Sequence, residues 1–153
     1  ITLTAELLSL AGKGDIAHCR QLAAEAISSG RALSVLRRTI ELQGGDGRVC
    51  EDTSLLPKAK YSYTLRASSD VRINSVDCAE LGMVSLLLGA GRVSKDDCVD
   101  PTAGKVMNCR PNDRIAAGEP LMTLYSSVCS DFSEAAMRAL NALGRSAGRI
   151  AAY

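Results

Sequence analysis

The most informative part of the sequence reads Gly89-Ala-Gly-Arg92 and continues as Asp100-Pro-Thr-Ala-Gly-Lys-Val-Met-Asn-Cys-Arg-Pro-Asn-Asp-Arg-Ile-Ala-Ala-Gly-Glu-Pro-Leu-Met-Thr-Leu124. A glycine-rich loop leads into a strand, a tight turn and a second strand, because glycine, proline and asparagine mark sharp connections. The stretch holds no nucleophile paired with a general base and no metal-ligating cluster. It therefore indicates a fold without displaying a reaction.

Bulk composition excludes several function classes. The chain has 153 residues, the length of one ordinary domain, and 46% of them are hydrophobic. A net charge of +1 and an aromatic content of 3% argue against a nucleic-acid partner. The longest apolar run, 83–90, is too short to cross a bilayer, so we expect no membrane partner.

The cysteines favour a reducing compartment. None of the six forms a CxxC pair, so a zinc site has little support. Because no secretory signal precedes the fold, we expect free thiols and a cytoplasmic location. The chain starts at Ile1, inside an apolar-periodic segment and without an initiator methionine. We therefore expect a piece of a longer polypeptide.

The period of the apolar residues changes near Pro57. Before it, spacing by three and four predicts three helices, at 1–11, 16–28 and 32–43, with Asp15 as an N-cap of the second. One stripe of the first helix carries Leu3, Leu7, Leu10 and Ala11, and the third helix is predicted to bury Leu33, Leu36 and Ile40. We expect 1–57 to be a helical segment and 58–153 an α+β lobe.

The lobe is predicted to be built on a small antiparallel sheet. The expected strands are 59–66, 71–74, 105–110 and 121–126, and the expected helices are 78–88 and 131–143. The order of strands and turns in 103–126 resembles the barrel-sandwich fold of biotinyl and lipoyl carrier domains. Those carriers need a lysine at a hairpin tip, whereas the tips here hold Asn112 and Glu119. The carrier fold is expected without the carrier chemistry.

Three features of the sequence could in principle form a site. His18, the single histidine, is predicted to be a surface residue on the second helix. The acids Asp96, Asp97 and Asp100 could hold a hard cation, but their spacing fits solvated loop charge better. The segment 89–91 follows a helix, whereas phosphate loops usually follow a strand, so a helix C-cap is favoured over a phosphate cradle.

Taken together, short motifs across nearly the whole chain resemble the thymidine and pyrimidine-nucleoside phosphorylase family. They occur in the family's order: Thr4-Ala-Glu-Leu-Leu8, Ser28-Ser-Gly-Arg-Ala-Leu33, Gln43-Gly-Gly-Asp46, Leu56-Pro57, Ala79-Glu-Leu-Gly82, Leu88-Gly-Ala-Gly-Arg92, Asp97, Asp100-Pro-Thr-Ala-Gly104, Asn112-Asp113 and Gly118-Glu-Pro-Leu121. Two residues depart from the pattern. Asn112 replaces a usual glycine, and Tyr125 replaces a frequent histidine, as in nucleoside-monophosphate phosphorylases.

The resemblance implies reversible phosphorolysis of a pyrimidine nucleoside to the free base and a pentose-1-phosphate. Inorganic phosphate would be the co-substrate and no cofactor would be needed. It also implies that this chain is the distal part of a large α/β domain, whose partners are the upstream part of the same protein and a second subunit bound through that missing part.

No catalytic, cofactor-binding or metal residue is transferred from the family, because the family's phosphate and base motifs match no position here. We therefore expect the chain alone to be inactive. Gly89, Gly91 and Arg92 are the candidate cleft-closure loop. The alternatives are a non-catalytic carrier-like barrel or interaction module and, within the family, a nucleoside-monophosphate phosphorylase.

Overall fold

The change of sequence period at Pro57 is also the place where the fold divides. The computed structural model describes residues 1–92 and 94–147, with the side chains of 145–147 left aside, and separates Ile1–Leu56 from Pro57–Tyr153. Val93 of the predicted loop and residues 148–153 of the predicted lobe lie outside the described residues. Each unit is described by itself.

The first unit is helical, as predicted. Its elements are α1 (Thr2–Leu10), α2 (Ile16–Ser28), α3 (Arg31–Leu42) and two short 3₁₀ turns (Gly47–Cys50 and Thr53–Leu55). The cap expected for α2 is confirmed, because the Asp15 carboxylate accepts a hydrogen bond from the His18 backbone N–H at 2.8 Å. This bond satisfies one of the free donors at the start of the helix.

The apolar faces of this unit are only partly covered. Ala5, Cys19 and Ala23 are buried. The leucine stripe of α1 is left uncovered, since Leu3, Leu7 and Leu10 are 80%, 67% and 85% exposed. The predicted burial of Leu33 and Leu36 on α3 is wrong, since their side chains are about half exposed. A groove of about 550 Å³ lies among the three helices, lined mainly by aliphatic side chains.

The second unit combines helices with two sheets. Its elements are β1 (Tyr61–Arg66), β2 (Val71–Val76), α4 (Cys78–Ser85), β3 (Gly104–Met107), β4 (Arg114–Ile115), β5 (Pro120–Ser126), α5 (Ser133–Asn141) and β6 (Leu143–Ala147). Both sheets are antiparallel and three-stranded, in the orders β1-β5-β3 and β4-β2-β6. The predicted α+β class is confirmed. Across the described residues the sheets do not close into a barrel.

Strand β5 contributes to both hydrophobic cores of this unit. Met122 and Leu124 point into the core formed with α4 and α5, where Val84 and Leu88 are fully buried. Leu121 points the other way, into a second core around Ile73. Successive strand residues face opposite sides of a sheet, so one strand serves two cores. Burial of each such side chain contributes about 1.5–3 kcal/mol before entropy is counted.

Several boundaries differ from the prediction, for example at β1, which begins at Tyr61, and at β2, which extends to Val76. The last helix ends at Asn141, and Leu143 instead begins β6, where it pairs with Val76. Leu143 is buried in the second core. A buried strand position and the apolar stripe of a helix both take a leucine, so the sequence pattern did not distinguish the two. The strand predicted for 105–110 ends at Met107. No helix of the described part is long and apolar enough to traverse a bilayer.

Candidate functional site

The glycine-rich loop leaves α4 through a wide helical turn, Leu86–Ala90. Gly89 has φ +98°, a left-handed conformation that side chains rarely adopt. A Cβ atom on Gly89 would also lie 2.8 Å from Val128 Cγ2. Gly91 is extended, but a Cβ there would lie 2.7 Å from Leu86 Cδ1. Gly89 is thus the position at which the helical geometry is interrupted.

Asp100 anchors the other end of the loop. It is 8% exposed, and one carboxylate oxygen accepts hydrogen bonds from the Thr102 N–H at 2.9 Å and the Thr102 hydroxyl at 2.6 Å. The second oxygen accepts from the Ser127 N–H at 2.6 Å. The Thr102 and Ser127 hydroxyls lie 2.7 Å apart. Asp100 therefore joins the loop to the chain that follows β5.

Ser126, the last residue of β5, links that strand to the start of the loop. Its side chain is completely buried, and its hydroxyl donates to the Leu88 carbonyl at 2.7 Å. The same oxygen accepts from the Cys129 N–H at 2.8 Å. The Asp100 N–H in turn donates to the Gly89 carbonyl at 2.8 Å. We call Leu88, Gly89, Asp100, Thr102, Ser126 and Ser127 the loop-base cluster.

The hydrogen bonds of the cluster fix the charge of Asp100. The Thr102 hydroxyl and then the Ser127 N–H hold the pKa of Asp100 below its ordinary value, against the opposing effect of burial. The carboxylate is therefore charged at neutral pH. Asp97 lies outside the cluster, and its carboxylate accepts a hydrogen bond from the Ser94 N–H at 2.7 Å. Among the described residues, no three His, Cys, Asp or Glu side chains converge as metal ligands.

The remaining residues singled out in the sequence lie apart from the cluster. Arg92 is exposed, and within the described residues it forms no hydrogen bond or ion pair. His18 is exposed on α2 in the other unit. Lys105 lies within β3, where its Nζ donates to the Ser85 hydroxyl and burial lowers its pKa. It is not at a hairpin tip, so its position does not suit carrier chemistry.

Sequence reasoning missed most of the loop-base cluster. The Asp100-Pro-Thr102 spacing is typical of a turn in which an aspartate accepts from the residue two positions on, so this pair was detectable. Ser126 and Ser127 gave no such signal, because their partners lie 38 and 27 positions away in the chain.

Most of the second unit matches a known protein family. Residues 72–145 match the family described as "Pyrimidine nucleoside phosphorylase C-terminal domain". The match extends from β2 into β6 and includes the glycine-rich loop, the loop-base cluster and the second sheet. The class that the second unit defines is therefore the C-terminal domain of pyrimidine nucleoside phosphorylases.

Individual relatives agree with this class. The pyrimidine-nucleoside phosphorylase of Staphylococcus aureus (strain USA300) is 34% identical over 128 residues, which cover 83% of this chain and 30% of the relative. That of Staphylococcus haemolyticus (strain JCSC1435) is 36% identical over the same length. The chain belongs to the pyrimidine-nucleoside phosphorylase family and spans about 30% of the length of these relatives.

Replacing Gly89 with alanine tests the steric demand at the loop start. We predict that Gly89→Ala lowers the free energy of unfolding by about 2–4 kcal/mol, since it adds a left-handed alanine and a clash with Val128. Gly118→Ala is the matched control. Gly118 also has a positive φ, +85°, but nothing lies within 4 Å of its Cβ position. Urea unfolding measures both, and equal losses would contradict the steric explanation.

Replacing Asp100 with asparagine tests the charge of the cluster. Because the folded pKa is lowered, the carboxylate stabilises the fold above its ordinary pKa, and this contribution is lost as pH falls through the folded value. We predict that Asp100→Asn is less stable than wild type at pH 7 and that the difference shrinks by pH 3. Asp96→Asn, at an exposed loop position, is the control. Urea titrations at both pH values measure the difference in stability between variant and wild type. A difference that stays the same at both pH values would contradict this explanation.

Proposed function

We propose that this chain is part of a pentosyltransferase that catalyses the reversible phosphorolysis of a pyrimidine nucleoside to the free base and ribose- or deoxyribose-1-phosphate. The observation that carries this proposal is the identity of 34–36% over 128 residues to proteins named pyrimidine-nucleoside phosphorylase. Inorganic phosphate is the co-substrate, and the reaction needs no other cofactor. The protein acts in the cytoplasm, in nucleoside salvage.

In this reaction a phosphate oxygen attacks the anomeric carbon while the bond to the base breaks and the base takes the electron pair. The chemistry requires cationic groups on phosphate and donors on the base carbonyls, where charge accumulates. We assign these groups to the part of the protein that corresponds to the remainder of its relatives. The chain by itself is then inactive, and no residue here is given a catalytic, cofactor or metal role.

The glycine-rich loop is proposed to help close the substrate cleft. The loop-base cluster supports this role, because it holds both ends of the loop while leaving Arg92 exposed between them. Loops anchored on rigid elements commonly gate active sites. Gly89 and Gly91 supply the sharp departure from the helix, and Arg92 supplies a cation for the closed state.

The helical unit is proposed to pack against the rest of the same polypeptide. The exposed leucines of α1 and the aliphatic groove among the three helices support this, since apolar surface of that extent marks a contact surface. We further propose that the whole protein is a homodimer formed through the part outside this chain.

Arg92→Ala in the full-length enzyme tests the proposed loop role. We predict that turnover falls about tenfold or more, because an incompletely closed cleft positions the reactants poorly. Phosphorolysis of thymidine, uridine and a pyrimidine nucleoside monophosphate, followed by base release, measures the effect and distinguishes these substrates. Lys95→Ala, which removes another exposed cation of the same loop, should leave turnover unchanged. Unchanged turnover and affinity in Arg92→Ala would overturn the closure role.

A further inference from the structure

Two arginines face each other on the solvent side of the second sheet. Arg72 of β2 is the register partner of Arg114 of β4, and both side chains are exposed. The neighbouring pair, Val71 and Ile115, points toward the core. Side chains directly opposite on antiparallel strands have Cβ atoms about 4.5–5.5 Å apart, and like charges there are unfavourable. The sheet therefore keeps a repulsive pair at this position.

No carboxylate compensates this pair within the described residues. The ion pairs found there involve other arginines, namely Arg37, Arg48 and Arg138. Nearby acids are already bonded to backbone N–H groups of the turns: Asp70 to Ala117, Asp113 to Arg110 and Glu119 to Ala116. The carboxylates thus stabilise the turns, and in the described part of the chain they form no ion pair with either guanidinium group.

Asn112 orients one of the two arginines. Its φ of +78° is left-handed, a conformation that asparagine tolerates better than most residues. The Asn112 N–H donates to the Ile73 carbonyl at 2.7 Å, which holds the turn against β2. The Asn112 side-chain oxygen then accepts a hydrogen bond from Arg72 Nη2 at 3.4 Å. This contact ties the Arg72 side chain to the turn that precedes β4, the strand that carries Arg114.

We propose that Arg72 and Arg114 bind a dianionic phosphate group, either as inorganic phosphate or as a phosphate monoester. Guanidinium groups present paired N–H donors that match phosphate oxygens, and a dianion between them converts the cross-strand repulsion into two attractions. The low net charge and the absence of an aromatic side chain from the described residues of β2 and β4 favour a small ligand over a nucleic acid. The proposal is independent of the proposed phosphorolysis.

The test uses this chain, labelled with nitrogen-15, and follows the arginine side-chain N–H signals by NMR. Sodium phosphate, ribose-5-phosphate and sodium chloride are titrated separately at matched ionic strength. We expect saturable shifts of the Arg72 and Arg114 signals with phosphate or the monoester and none with chloride. Tighter binding of ribose-5-phosphate identifies a monoester as the ligand, and equal or weaker binding identifies free phosphate.

Variants assign the binding to the pair. Arg72→Ala and Arg114→Ala should each weaken binding about tenfold, the loss typical of one charge-assisted contact. Asn112→Gly keeps the left-handed turn, removes the Arg72 contact and should weaken binding less. Arg20→Ala, which removes an exposed arginine of α2, should have no effect.

Arg114→Glu separates loss of binding from loss of folding. It replaces the repulsive pair with opposite charges, so it should raise the melting temperature while abolishing the phosphate-dependent shifts. Three results would overturn the proposal: non-saturating shifts that chloride reproduces, binding that survives Arg72→Ala and Arg114→Ala together, or a short oligonucleotide that binds more tightly than both phosphate ligands.

Discussion

The hydrogen bond from the Ser126 hydroxyl to the Leu88 carbonyl couples strand β5 of the second unit to the start of its glycine-rich loop. It joins the end of the strand shared by both cores to the helical turn where the glycine-rich loop begins. A buried polar group is costly unless it is bonded, and Ser126 meets that demand by donating once and accepting from Cys129. Strand register and loop position are thereby coupled.

Local sequence patterns predicted the elements well and their surroundings less well. Apolar spacing located α1, α2 and α3 because amphipathic periodicity is a property of a short segment. It identified Leu3, Leu7 and Leu10 as one face of α1, but spacing does not say what covers a face, and here the face is exposed. β6 was missed because Leu143 satisfies a helical stripe and a buried strand position equally.

Functional features that depend on residue type and short spacing were predictable from the sequence, whereas those that depend on distant contacts were not. The left-handed Gly89 and the Asp100–Thr102 turn follow from residue type and short spacing. The Ser126 bond and the Arg72–Arg114 pair depend on strand register and on contacts between distant segments, which composition does not specify. Family membership was recognised from ordered motifs, although no single motif displays the chemistry.

Amide hydrogen exchange in Ser126→Ala tests most directly whether this hydroxyl holds the loop base. In the wild-type chain we predict that the amides of Asp100 and Cys129 exchange as slowly as that of Leu124, because each is hydrogen-bonded within the unit. In the variant, Asp100 and Cys129 should lose at least about tenfold in protection while Leu124 keeps its own. Unchanged protection of Asp100 and Cys129, or equal loss at all three amides, would contradict the central role of Ser126.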